Sequence, residues 1–180
     1  MKGVVFDMLR DMVEERYGLE GWDAVLEDAD SDGLYVSTQT YPDEELVALV
    51  SSAVKVTGLE SAALLKAFGE YMAGELYQRF PDFFDAADDL IQFLISVDRI
   101  VHMEVRKLYP DAALPTFEYQ QSRPGELLMK YRSPRRMCML AEGLIIGSSR
   151  HFETPVAIEH SPCMHDGADH CGLKVRLLEQ

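Results

Sequence analysis

Between Asp88 and Tyr109 the chain carries a long helical stripe, and the residues after it change period; this transition constrains the fold most. Leu90, Leu94, Val97, Val101, Val105 and Leu108 recur at steps of three and four residues. Asp88 and Asp89 stand near the start of the stripe and Arg106 and Lys107 near its end, as the helix dipole favours, and Pro110 stops it. Beyond it, Thr116–Gln120 and Glu126–Ser133 read as strands separated by an Arg123-Pro124-Gly125 turn. A helix over Met137–Ile146 with a Gly-rich exit comes next, then strands over Phe152–Ile158 and Leu173–Leu178.

The front half is helical throughout. Val5, Leu9, Met12 and Val13 mark a first helix stopped by Gly18, and Trp22, Val25 and Leu26 mark a short second one. Asp28–Gly33 reads as an acidic turn, and Tyr41-Pro42-Asp43 as the start of a helix with Leu46, Val47 and Val50 on its apolar face. Leu64, Leu65, Phe68, Met72 and Leu76 carry the next helix, which Pro81 ends. The pattern predicts an α+β fold: a helical N-terminal half, then a small antiparallel sheet with a packed helix. At 180 residues the simplest organisation is one domain over 1–180, with a helical part over about 1–60 and an α/β part over about 61–180.

Lys and Arg number 17 against 31 Asp and Glu, a formal charge of −14, which argues against nucleic acid or anionic lipid as a partner. The opening residues show no secretory h-region and no stretch has membrane-spanning length, so a cytoplasmic location is expected. Three cysteines without a signal sequence do not suggest a disulfide framework.

Tyr131, Ser133 and Arg135 are hydrogen-bond donors on alternate residues, one face of an extended strand, continuing an apolar face formed by Leu127 and Met129. Such a face suits a ligand with an apolar body and an anionic rim, and haem with its propionates is one. His102 lies upstream in the helical stripe, where an imidazole could ligate iron. Taken alone, each has a plainer reading: an amphipathic strand whose polar end reaches solvent, and a satisfied histidine.

Together with Met1-Lys2-Gly3, Trp22, Phe68-Gly69, Leu108-Tyr109-Pro110, Pro115, Glu142-Gly143-Leu144-Ile145 and Gly147-Ser148-Ser149, these residues resemble the haem-nitric oxide/oxygen binding (H-NOX) family, bacterial relatives of the sensor domain of soluble guanylate cyclase. The resemblance covers essentially the whole chain. It implies haem b as cofactor, His102 as the proximal ligand, Tyr131, Ser133 and Arg135 as the propionate clamp, and Pro115 as a proline against the porphyrin face. Oxygen-binding members carry a distal tyrosine; the matching residue here is Leu140, and Val5, Ala73, Leu76 and Leu144 match other distal positions, all apolar. Tyr71 is expected to point away. A sensor that binds NO and CO and excludes oxygen is therefore expected, with NO releasing His102.

Cys163 and Cys171 lie with His160, His165 and His170 in a segment dense in soft ligands, Cys138 stands three residues past Arg135, and three thiolates with one imidazole form the usual closed zinc site. The resemblance implies a Cys3His set in a subset of the family; His160 is favoured as the fourth ligand, with His165 and His170 as rivals. A redox role for these thiols is a further expectation. A histidine kinase or cyclic-di-GMP enzyme acting in trans is the implied partner, with the chain alone a monomer. The alternative is a haem-free small-molecule sensor of the vinyl-reductase-like type. An enzyme is not expected, because the predicted distal pocket offers no acid, base or nucleophile and no Cys-x-x-Cys occurs.

Overall fold

The computed structural model describes residues 1–178, and the side chains of all of these except Leu108 and Ser122. Among the described residues, seven α-helices and four strands run in the order α1 (Gly3–Ala29), α2 (Asp43–Thr57), α3 (Ser61–Arg79), α4 (Pro81–Asp85), α5 (Leu90–Ser96), α6 (His102–Leu108), β1 (Thr116–Arg123), β2 (Glu126–Arg132), α7 (Cys138–His151), β3 (Val156–His160) and β4 (Cys171–Leu177). The strands form one antiparallel sheet in the order β1-β2-β4-β3. This is the α+β arrangement expected from the change of period. Among the described residues, no single helix is long and apolar enough to cross a membrane.

Two apolar clusters hold the fold together. One joins α1, α2 and α3 through Phe6, Leu9, Met12, Leu49 and Phe68, and the other joins α5 to the inner sheet residues Leu127, Met129, Leu173 and Val175. Helix α7 serves both: Leu140 belongs to the first, and Cys138, Ala141 and Ile145 to the second. Its contact with α3 is backbone against backbone. A Cβ on Gly143 would stand 2.0 Å from the Lys66 carbonyl oxygen, and one on Gly69 would stand 2.3 Å from that of Leu140.

Four local expectations change. The two predicted N-terminal helices are halves of α1, which kinks at Gly18 (φ 77°, ψ 175°) and resumes. Gly18 therefore bends the path and does not end it, since only glycine takes that conformation at little cost. The predicted 88–109 helix starts at Leu90, capped by the Asp89 carboxylate accepting from Gln92 N–H, and is π-helical over Val97–Val101. An i→i+5 segment shifts the phase of everything after it, so the stripe does not stay on one buried face. Val97, Val101 and Val105 are half-buried, Ile100 and Met103 are about half exposed, and Leu108 lies outside the described side chains. The glycine expected at the exit of α7, Gly147, is inside the helix, where a Cβ would meet the Ala73 side chain at 2.5 Å. The run through Arg135 is not extended to its end: β2 stops at Arg132, and the chain turns with Arg136 N–H bonded to the Ser133 carbonyl.

Candidate functional site

His102 is the first residue of α6, directly after the π-helical turn. Its side chain is 13% exposed, and Nδ1 lies 3.2 Å from Asp98 Oδ1, one helical turn back. An ionised carboxylate only accepts, so Nδ1 carries the proton and Nε2 keeps its lone pair. Burial lowers the His102 pKa against the opposing pull of Asp98, so the ring is held neutral, as a metal ligand requires. The ring faces Phe117 of β1 at 6.0 Å, and Phe117 contacts Tyr131 of β2 at 5.6 Å. One aromatic surface therefore runs from the imidazole to the expected clamp.

Tyr131 and Ser133 are buried, at 3% and 4% exposure. Burial raises the Tyr131 phenol pKa while a hydrogen bond to Ser133 opposes the rise, so the phenol stays protonated and able to donate. Because the chain turns at Ser133, the Ser133 hydroxyl accepts from Arg135 N–H at 3.3 Å. The Arg135 side chain is 10% exposed; Nε donates to Asp43 Oδ2 at 2.6 Å and Nη1 to the Ala113 carbonyl. The remaining guanidinium N–H groups are left for an anion. Half-buried Pro115 follows Ala113 closely and precedes β1.

Asp43 also accepts from the Met1 amino group at 2.7 Å. Burial would raise its carboxyl, but Arg135 and the Met1 ammonium outweigh that and hold it below the usual carboxylate range. Lys2 Nζ bonds Asp111 at 3.1 Å and lies 4.5 Å from the centre of the Tyr109 ring. The opening residues thus tie α1 to the segment between α6 and β1.

The residues matched to the distal side are apolar. Leu140 (8% exposed) belongs to the cluster against which Val5, Leu76 and Leu144 also pack, and Ala73 (2%) is where Gly147 of α7 meets α3. Tyr71 lines a surface groove with Glu15, Arg16, Glu70 and Glu75. The donor set, comprising a neutral imidazole with a free nitrogen, a buried polar clamp and an apolar wall, fits haem.

A second cluster joins the start of α7, the end of β3 and the start of β4. Cys163 Sγ lies 4.0 Å from Cys138 Sγ and 3.8 Å from Cys171 Sγ, and all three thiols are free. Tetrahedral zinc with bonds of about 2.3 Å sets its sulfurs about 3.8 Å apart. The ligand atoms of Cys138, His160, Cys163 and Cys171 all lie within 4.8 Å of one another. His160 Nδ1 lies 2.5 Å from Glu142 Oε1, and Nε2 is buried with no hydrogen-bond partner. His165 Nε2 instead donates to the Arg136 carbonyl at 2.8 Å, and His170 Nδ1 to Asp169 at 2.6 Å. Burial and the neighbouring sulfurs raise the Cys138 pKa, and burial raises that of Cys171, so these thiols need a cation to ionise. The donor set fits zinc.

The supporting roles of Asp98, Asp43, Glu142 and Lys66 were not foreseen, although Asp43 marks a helix start and Glu142 belongs to a motif of the resemblance. An Asp–His pair four apart on a helix was a usable signal for Asp98, as was Glu142 four residues after Cys138. Nothing local points to the roles of Asp43 and Lys66.

A model of the Haem-NO-binding family matches residues 2–160. An H-NOX protein from S. oneidensis solved in the Fe(II)NO ligation state shares 36% identity at TM-score 0.93, over 99% of this chain and 100% of that one. The same organism's SO2144 H-NOX domain in the Fe(II)CO state shares 35% at TM-score 0.91, over all of both chains. The Fe(II) unliganded H-NOX protein from K. algicida shares 30% at TM-score 0.92, over 100% of this chain and 98% of that one. A search of curated protein sequences found no match.

Proposed function

The chain belongs to the Haem-NO-binding family, whose domains are haem-based gas sensors and not enzymes, and from this we propose that it is an NO sensor that also binds CO, excludes oxygen and controls a separate signalling protein. Ferrous haem, when bound, supplies the gas-binding iron. His102 Nε2 would ligate its iron, and Asp98 keeps the imidazole in the ligating tautomer. Arg135, Tyr131 and Ser133 would pair its carboxylates, and Pro115 would pack against the ring. The parts over about 1–60 and 61–180 work as one sensor unit, tied at Asp43, which binds both Met1 and Arg135.

The single observation that carries the reading is His102: a half-buried imidazole with one nitrogen committed to a carboxylate and the other free, at the end of a π-helical turn. Such turns sit at functional positions. Among the described side chains of 97–107 none is fully buried, so if His102 were freed from the iron this segment would be free to move and alter the surface a partner reads. Val5, Ala73, Leu76, Leu140 and Leu144 exclude water and donate nothing. Iron-bound dioxygen is polar and depends on a donor far more than NO or CO does. The partner is a histidine kinase or a cyclic-di-GMP enzyme, the location is cytoplasmic, and the chain alone is a monomer.

Cys138, Cys163, Cys171 and His160 would hold a structural zinc ion cross-linking α7, β3 and β4, and on this reading the chain is of the zinc-containing, NO-selective subset. Cys163→Ser should abolish stoichiometric zinc. The test of the sensing reading is a spectrum of the reduced protein. It should form no stable complex in air, and with NO its electron paramagnetic resonance should carry no splitting from a histidine nitrogen. A stable oxygen complex, or retained histidine splitting, would overturn selectivity or release respectively.

A further inference from the structure

Glu142 is a buried carboxylate that gas sensing does not use. It sits four residues after Cys138 on α7, so both side chains leave the helix on one side. The residue is 4% exposed. Its two oxygens are divided: Oε1 meets His160 Nδ1 at 2.5 Å, and Oε2 pairs with Lys66 Nζ of α3 at 2.6 Å. Burying a carboxylate is costly, and an apolar residue would fill the space with less penalty. What an apolar residue could not do is accept a hydrogen bond from Nδ1. With Nδ1 committed, Nε2 is the nitrogen left to ligate, and Nε2 is the atom buried without a partner. The three sulfurs stand within 4.8 Å of a His160 ligand atom. Rival histidines lack this support, since His170 leans on an exposed aspartate and His165 on a carbonyl.

Resting on the assignment of zinc to this cluster, we propose that Glu142 is a positioning residue of the Cys3His site, fixing the tautomer and ring orientation of His160, with Lys66 as its counter-ion. Carboxylate partners of metal-bound imidazoles commonly have this role. The arrangement also ties the metal to the distal wall. Lys66 contributes the carbonyl against which Gly143 packs, and Leu140 and Leu144 flank Glu142 in sequence.

The experiment uses the full haem-loaded chain and follows zinc affinity by competition with a chromophoric chelator, together with the absorption of the cobalt(II)-substituted site. Glu142→Leu combined with Lys66→Met replaces the ion pair with apolar groups of similar volume, a change that generally preserves folding. This double variant should lose zinc affinity by about 10- to 100-fold. Its cobalt ligand-field bands should shift while the thiolate charge-transfer bands persist, because only the imidazole is disturbed. Glu142→Gln, which keeps an acceptor without the charge, should fall between it and the unaltered protein. A merely structural ion pair would move the melting temperature and leave the cobalt spectrum alone. Zinc affinity within about twofold of the unaltered protein in the double variant, with identical cobalt bands, overturns the proposal. If the unaltered chain takes up no stoichiometric zinc and Cys163→Ser changes nothing, the zinc assignment fails, and this inference with it.

Discussion

On the proposed reading, Leu140 is the side chain that sets which gas is favoured. It is buried in the apolar cluster against which Val5, Leu76 and Leu144 also pack, and none of these four can donate a hydrogen bond. A phenol there would supply a buried donor, worth roughly 1–3 kcal/mol against a charged partner, or about one to two decades of affinity. Leu140→Tyr should therefore raise oxygen affinity by about 10- to 100-fold and leave that for CO within a few fold, read from equilibrium titrations of the reduced protein. At this scale much was legible in the sequence. His102, Arg135 and the three cysteines stood out by residue type only together with the family resemblance, since each taken alone has a plainer reading. Their supporting residues did not. Asp43 meets Arg135 across a separation of 92 positions, and nothing in either neighbourhood marks the pair.

The pairing of α3 with α7 is the central joint between elements, because it carries the distal wall on one side and Glu142 with Lys66 on the other. Gly143 is where the backbones come closest, its absent Cβ falling 2.0 Å from the Lys66 carbonyl. Gly143→Ala should cost about 1–3 kcal/mol and lower the melting temperature by roughly 2–4 °C for each kcal/mol in a chain of this size. Gly74 of α3 has nothing within 4 Å of a built Cβ, so Gly74→Ala should hold or slightly raise the melting temperature. Differential scanning calorimetry of both variants checks this. Helix and strand periods were legible because apolar burial imposes them. The π-helical turn was not: one shifted register leaves no mark in the hydrophobic spacing, and the 90–108 stripe reads as a plain helix until Val97, Val101 and Val105 are seen only half-buried.

Across the whole molecule, the N-terminal helices and the sheet are joined by a polar thread from Met1 through Asp43 to Arg135. Burial favours the neutral Asp43 carboxyl, but Arg135 and the Met1 ammonium prevail and its folded pKa lies below the ordinary value near 3.8. A depressed carboxyl pKa contributes stability that is present above the unfolded value and lost as pH falls through the folded one. Thermal midpoints measured from about pH 5 to pH 3 should therefore fall more steeply for the unaltered chain than for Asp43→Asn. Equal slopes would mean that the thread does not brace the fold.

The most direct test of the whole scheme is the absorption spectrum of ferrous His102→Gly, recorded with and without added imidazole beside the unaltered chain. Ligation by position 102 predicts that the variant loses the histidine-ligated ferrous spectrum and regains it when free imidazole enters the space. An unchanged ferrous spectrum in His102→Gly, or an unaltered chain that stays colourless when offered hemin, would contradict it.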